Sequence, residues 1–310
     1  MRRAIAAAGR LFITAGVLIL LFVVYQLWGT GVLEARAQSD LRDDFEEQLE
    51  AQPGTSSTTD DPASTTTTTT TAPAPPPIPP GGEAVAIIRI PKIGVDKVVV
   101  EGTTVADLRK GPGHYVGTPL PGQIGNAAIA GHRTTYGAPF GNLDQLAAGD
   151  IITVETLSGS FDYRVMGRSE ENPLGGIFVV KPSQTEVLDQ PPSDEPEAIL
   201  TLTSCNPKYS ARERLVVKAE YDLRANQPQP QAPPTETRTP KSLDAGLSGE
   251  HTSRLPTLLW GLVAAVIGGL WWLVFHRYRR WTTWLAGVIV FTPALLVFYV
   301  LLERVLPSNY

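Results

Sequence analysis

Ile199-Leu200-Thr201-Leu202-Thr203-Ser204-Cys205, then Asn206-Pro207, then Arg212-Glu213-Arg214-Leu215-Val216-Val217, is the stretch on which the fold turns. In a strand, successive side chains take opposite faces, so Leu200 and Leu202 share one face while Thr201, Thr203 and Cys205 share the other. Asn-Pro breaks the strand, and the β-branched run after it reads as a partner returning antiparallel. Cys205 is therefore expected near a strand end, on the more polar side. Arg214 is expected to come back close to the thiol.

The same texture extends from about residue 84 to residue 223. Val85-Ala86-Ile87-Ile88-Arg89-Ile90, Val98-Val99-Val100, Ala127-Ala128-Ile129-Ala130, Ile151-Ile152-Thr153-Val154 and Phe161-Asp162-Tyr163-Arg164-Val165 are short strand-like runs between Gly and Pro. Many short strands with such punctuation predict an antiparallel sandwich or barrel. Helix is expected only as single turns, near Val105 to Leu108 and near Asn142 to Leu146. A segment of this size can bury one real core.

The flanks are of a different kind. Met1-Arg2-Arg3 precedes an uncharged apolar run from Leu11 to Trp28, about as long as a bilayer core requires. A cleaved signal peptide is the rival reading, because Ala35-Arg36-Ala37 resembles a small-x-small cleavage site. The run exceeds the roughly 7–15 residues of a signal h-region, which favours a retained anchor. Leu41, Phe45 and Leu49 then recur every fourth residue, predicting a helical stalk with one weak apolar stripe. Thr and Pro dominate from Gly54 to Pro80, a composition that cannot offset its own ordering entropy and predicts an extended linker.

A second polar, Pro-rich linker runs from Arg224 to about Arg254, and two apolar spans follow, Thr257 to Phe275 and Trp284 to Leu302. His276, Arg277, Tyr278, Arg279 and Arg280 lie between those spans. Arg in a short loop and Trp at the interfaces mark a transmembrane hairpin with that loop in the cytoplasm. The N-terminal arginines then fall on the same side, which puts the β domain outside. The expected segments are 1–33 (tip and anchor), 34–82 (stalk and linker), 83–223 (β domain), 224–255 (linker) and 256–310 (hairpin).

The chain has 26 basic and 31 acidic residues, against a nucleic-acid binder with its usual basic face. It has one cysteine, so no internal disulfide is available. Of four histidines, His251 falls in a linker and His276 in the loop, leaving His114 and His132 as partners for Cys205. A thiol beside an imidazole is the minimal apparatus for acyl transfer. A fixed cation beside it, Arg214 or its neighbour Arg212, would stabilise an oxyanion. The acidic residues show no EF-hand-like spacing, so no metal site is expected, and no cofactor is expected either.

The residues around the cysteine also carry a resemblance. Thr201-Leu202-Thr203-Ser204-Cys205, with Arg214 nine positions later, resembles the TLxTC…R signature of the sortase family. Asn126-Ala127-Ala128-Ile129-Ala130-Gly131-His132 resembles the sortase segment that ends in its catalytic histidine. Ser204 stands where the family usually has Thr, and keeps the hydroxyl. Gly111-Pro112-Gly113-His114-Tyr115 is similar to the actinobacterial class E subgroup.

The resemblance implies an eight-stranded sortase β-barrel with one or two short helices, all-β apart from the membrane helices. It implies Cys205 as nucleophile, His132 as general acid and base, and Arg214 as the oxyanion and substrate clamp. Tyr115, Thr203 and Ser204 are implied as substrate-contacting residues, Tyr115 through a preference for Ala over Pro. The implied reaction is cleavage of an LAxTG or LPxTG sorting signal between Thr and Gly and transfer to a cell-wall peptide amine. Three other readings stand beside it: a pilus-polymerising member, a hydrolase on the same scaffold, and a non-catalytic membrane-tethered β domain. The first typically carries a lid with an Asp-Pro-aromatic motif, which this sequence lacks.

Overall fold

The structure, a computed structural model, describes residues 2–51, 78–169, 174–192, 194, 197–221, 247, 253–275, 281–303 and 305. The Thr/Pro-rich linker over 52–77, most of the second linker and the Arg-rich loop at 276–280 lie outside the described residues. The chain divides into two compact units, one built from residues 1–29 with 250–309, the other from residues 30–249.

Two helices come first, α1 (Arg2–Val24) and α2 (Thr30–Glu50), with a π-helical turn at Tyr25–Gly29 between them. The strands follow: β1 (Ala84–Ile90), β2 (Val95–Glu101), then the one-turn helix α3 (Val105–Leu108), β3 (Gly113–His114) and β4 (Gly125–Ala130). After a 3-10 turn at Leu143–Gln145 come β5 (Ile151–Thr156), β6 (Gly159–Val165), β7 (Ile177–Val180), β8 (Ala198–Asn206) and β9 (Glu213–Tyr221).

The strands form one sheet in the order β6-β5-β1-β2-β3-β4-β8-β9-β7, closed by a further pairing of β6 with β9. Tyr163 to Val165 of β6 take the far half of the β9 edge, while Ile177 to Val180 of β7 take its near half. The closed ring is thus eight-stranded, with β7 as a short extra strand alongside. Closure leaves no open edge within the ring, which removes the edge-to-edge pairing hazard of an open sheet. β4 runs parallel to β8, and β8 pairs antiparallel with β9, as its alternation and turn predict.

Side-chain alternation fills the barrel with Ile88 and Ile90 of β1, Val99 of β2, Ile129 of β4, and Leu200 and Leu202 of β8. The uninterrupted apolar run of β1 has its own explanation. Its other face, with Ala84 and Ile87, joins Val98 of β2 against Phe45 of α2, while Leu41 and Leu49 pack at the margin. A strand covered on both sides needs apolar residues on both. The weak stripe of α2 is therefore the seam by which that helix joins the barrel. α2 belongs to the barrel's own compact unit and is not a stalk standing clear of it. Burying a side chain the size of Phe45 contributes roughly 1.5–3 kcal/mol.

In the first unit, α1 is accompanied by α4 (Leu255–Phe275) and α5 (Trp281–Glu303). Among the described residues, three helices are long and apolar enough to cross a membrane, within Phe12–Glu50, Leu255–Val274 and Ala286–Glu303. Trp260 Nε1 donates to the Ala294 carbonyl at 2.9 Å, Tyr299 OH to the Leu18 carbonyl at 2.6 Å, and Tyr25 OH to Glu303 at 3.0 Å.

Candidate active site

Strand register assembles the site. Cys205 of β8 lies directly opposite Arg214 of β9. On its other side β8 runs parallel to β4, with Thr203 level with Ala130. The β4–β8 pairing ends at that pair, and His132 follows two residues beyond it, as Cys205 does on β8. Ser204 Oγ donates to the Gly131 carbonyl at 2.8 Å, and Gly131 N–H donates to the Thr203 carbonyl at 3.0 Å, carrying the ladder up to the histidine. Cys205 and Arg214 thus face each other at one end of the barrel, with His132 just past the end of the neighbouring strand β4. A small groove there is lined by Leu108, Ala130, Gly131, Thr203, Ser204, Cys205 and Arg214.

Thr201, Thr203 and Cys205 take the outer face of β8, opposite the core leucines, but that face is covered too. Thr201 Oγ1 donates to Asn126 Oδ1 at 2.6 Å, and the Thr203 and Tyr115 hydroxyls lie 2.9 Å apart. Cys205 is 6% exposed, His132 2% and Arg214 2%. Arg212 is exposed, so the two candidate arginines separate cleanly. Arg214 Nη1 donates to the carbonyls of Ala211 and Glu213, each at 3.0 Å, which fixes the guanidinium across from the thiol.

The two candidate histidines separate as well. His114 sits in β3 with both ring nitrogens engaged: Nδ1 is 2.7 Å from Glu101 Oε2, and Nε2 is 2.9 Å from Thr118 Oγ1 and 3.0 Å from the Pro119 carbonyl. His132 Nε2 is buried with no hydrogen-bond partner among the described residues. A base must have a nitrogen to offer, and His132 is the one that has it.

Burial sets the resting charges. It holds the His132 pKa down to about 4, with the Arg109 charge acting in the same direction. It pushes the Cys205 thiol up, against the opposing pull of Arg214 and Arg133. Burial thus favours the neutral form of both thiol and imidazole. For His114, burial opposes charge, but the Glu101 carboxylate and the bonds to Glu101 and Pro119 outweigh it and raise the pKa. Tyr115 is pushed up to about 12, chiefly by burial, so it stays a phenol and a hydrogen-bonding partner for Thr203.

Two further groups hold the site, and residue type alone gave no reason to pick them. Arg133 is buried, and its Nη1 donates to the Cys205 carbonyl and to Asn206 Oδ1, both at 2.9 Å. Its Nη2 pairs with Asp144 at 3.1 Å. It pins the end of β8 to the loop that carries His132. Tyr136 stacks on the His132 ring at 5.3 Å between centroids, and the Arg109 guanidinium lies 5.6 Å over the Tyr136 ring. The signal for Arg133 was its place directly after the histidine; Tyr136 had none.

The wall of the groove continues into an apolar cluster of Leu108, Tyr115, Ala128, Ala130 and Leu188. Leu247, from the segment after the barrel, is fully buried in that cluster.

Residues 88–222 match the family model described as a sortase domain. Over 227 residues the chain is 34% identical to sortase SrtE1 of Streptomyces coelicolor, covering 68% of this chain and 55% of that one. Over 251 residues it is 27% identical to SrtE2 of the same organism, covering 76% of this chain and 89% of that one. The chain thus spans little more than half the length of SrtE1. Among solved structures, sortase E from Streptomyces avermitilis is 34% identical over 48% of this chain and 97% of its own, with a TM-score of 0.39.

Proposed function

Since the chain belongs to the sortase family, we propose that it is a membrane-anchored cysteine transpeptidase acting on C-terminal sorting signals of the LAxTG or LPxTG type. One observation carries the reading: Cys205 faces Arg214 across a strand pair, while His132, two residues past the end of the adjoining strand β4, is buried with its Nε2 unengaged among the described residues.

The chemistry follows from the resting charges. His132 takes the thiol proton as Cys205 Sγ attacks the Thr carbonyl carbon, so ionisation and attack are coupled. The carbonyl oxygen becomes an oxyanion, for which the Arg214 guanidinium supplies fixed charge and N–H donors. The C–N bond to Gly breaks, the imidazolium protonates the leaving amine, and a thioester on Cys205 remains. An acceptor amine then attacks the thioester carbon and gives its proton to His132. That proton returns to sulfur as the C–S bond breaks. Buried, largely dry surroundings strengthen each of these electrostatic contacts.

In this reading Tyr115, Thr203 and Ser204 contact the signal, since the Tyr115–Thr203 hydroxyl pair stands beside the groove. In this reading the enzyme sits in the cell membrane with the barrel outside, which is supported by three helices, among the described residues, long and apolar enough to cross a membrane. The partners are secreted proteins bearing the signal and a cell-wall peptide amine. No cofactor or metal enters the scheme.

The test uses the full-length chain in detergent micelles, incubated separately with LAxTG and LPxTG peptides and read by intact-mass spectrometry. The expected result is an acyl adduct absent from Cys205→Ala and discharged by an added amine. Discharge by water alone would indicate the hydrolase. No adduct with either peptide, from protein whose thiol titrates, would sink the reading in favour of a binding domain.

A further inference from the structure

The barrel-facing side of α2 carries more than its apolar seam. Thr30, Glu34 and Gln38 recur at every fourth position, so they share one helix face, and all three are buried. Burying a hydroxyl, a carboxylate and an amide costs free energy unless each is bonded. Each is. Gln38 Nε2 donates to the carbonyls of Val98 at 3.0 Å and Lys110 at 2.8 Å, and its Oε1 accepts from Val98 N–H at 2.7 Å. Glu34 pairs with Lys97 at 2.6 Å. Thr30 Oγ1 accepts from the Tyr136 N–H at 3.2 Å.

The Thr30 contact falls on an unusual piece of backbone. Tyr136, Gly137 and Ala138 all have positive φ, at 49°, 70° and 44°. For residues other than Gly this is a costly conformation that persists only where its surroundings impose it. α2 packs directly on this corner. Thr30 holds the Tyr136 N–H, and Glu34 lies so close to Gly137 that an added Cβ would come within 2.5 Å of Oε2. The same corner presents the Tyr136 ring to His132.

We propose that α2 is a positioning element for the reaction: Thr30 and Glu34 fix the left-handed corner at 136–138, and that corner sets the ring plane of His132. The inference rests on the sortase reading for its catalytic consequence, and on contacts within one compact unit for its geometry. Thr30 acts through Tyr136 and touches no reacting atom.

The test uses full-length chain in micelles, with histidines labelled at 13Cε1. The His132 resonance is assigned by its loss in His132→Gln, and its ring-current displacement by collapse in Tyr136→Leu. Thr30→Val keeps the side-chain shape and removes the acceptor. Gly137→Ala drives a methyl onto Glu34. Both are expected to move the His132 resonance and to lower kcat for the LAxTG peptide at least tenfold, with KM within twofold. Thr30→Ser should restore both readouts. Arg42→Ala, which breaks an exposed contact of the same helix with Asp96, should change neither. An unmoved resonance in both Thr30→Val and Gly137→Ala overturns the proposal, as does a moved resonance with unchanged kcat. If the wild-type chain turns over neither peptide, the sortase reading fails on its own, while the resonance still decides whether α2 positions the ring.

Discussion

Alkylation of Cys205 as a function of pH separates two pictures of the resting site. The thiol is buried to 6% exposure, and burial raises its pKa above the ordinary 9.0 despite two nearby arginines. At pH 7 a thiol of pKa 9.0 is about 1% ionised, and each unit of pH below the pKa costs tenfold. Cys205 must therefore be less ionised than that. The rate of iodoacetamide labelling should rise about 100-fold between pH 7 and pH 9 and should still be rising above pH 9. His132, held at about 4 by burial and Arg109, is neutral throughout, so His132→Gln should leave the profile in place. Arg214→Met should push it to higher pH, because the strand-opposed cation is the first of the groups that favour the thiolate. Labelling followed by intact mass is unambiguous in a chain with one cysteine. A plateau reached below pH 8, or a profile displaced by His132→Gln, would refute the neutral-pair description and establish an ion pair.

Three other outcomes follow from named contacts. Glu101→Gln removes the partner of buried His114, whose pKa is raised; the pair's contribution is present below the ordinary histidine value of 6.5 and lost as pH rises through the raised one. The melting-temperature gap between wild type and variant should accordingly be widest near pH 6 and narrow in alkaline buffer. Phe45→Ala opens the seam between α2 and β1, and should destabilise the barrel unit by about 3–5 kcal/mol, read as a lower melting temperature. Tyr115→Phe loses the hydroxyl pair with Thr203, at about 1 kcal/mol in stability. It should also alter the ratio of LAxTG to LPxTG turnover, whereas an unchanged ratio would remove Tyr115 from specificity.

Alternation along residues 199–205, the turn at Asn206-Pro207 and the run to Val217 were enough to place β8, β9 and the facing of Cys205 and Arg214. Strand period and turn chemistry are local properties, and they are written in adjacent residues. The single cysteine, the charge balance and the apolar helices were equally local. The choice between His114 and His132 was open from the residues alone and rested on the resemblance. The structure separates them because Glu101, thirteen positions from His114, and the Thr118–Pro119 corner occupy that ring's nitrogens. The bias of thiol and imidazole toward their neutral forms was likewise out of reach, since burial belongs to the whole barrel and not to any segment. The stripe of Leu41, Phe45 and Leu49 announced a helix with a partner, and the apolar run of β1 announced a strand covered twice. That the two announcements answer each other, and that Thr30 reaches across to Tyr136, depends on contacts spanning up to 106 positions. Periodicity fixes which face a residue takes; only closure of the sheet decides what that face meets.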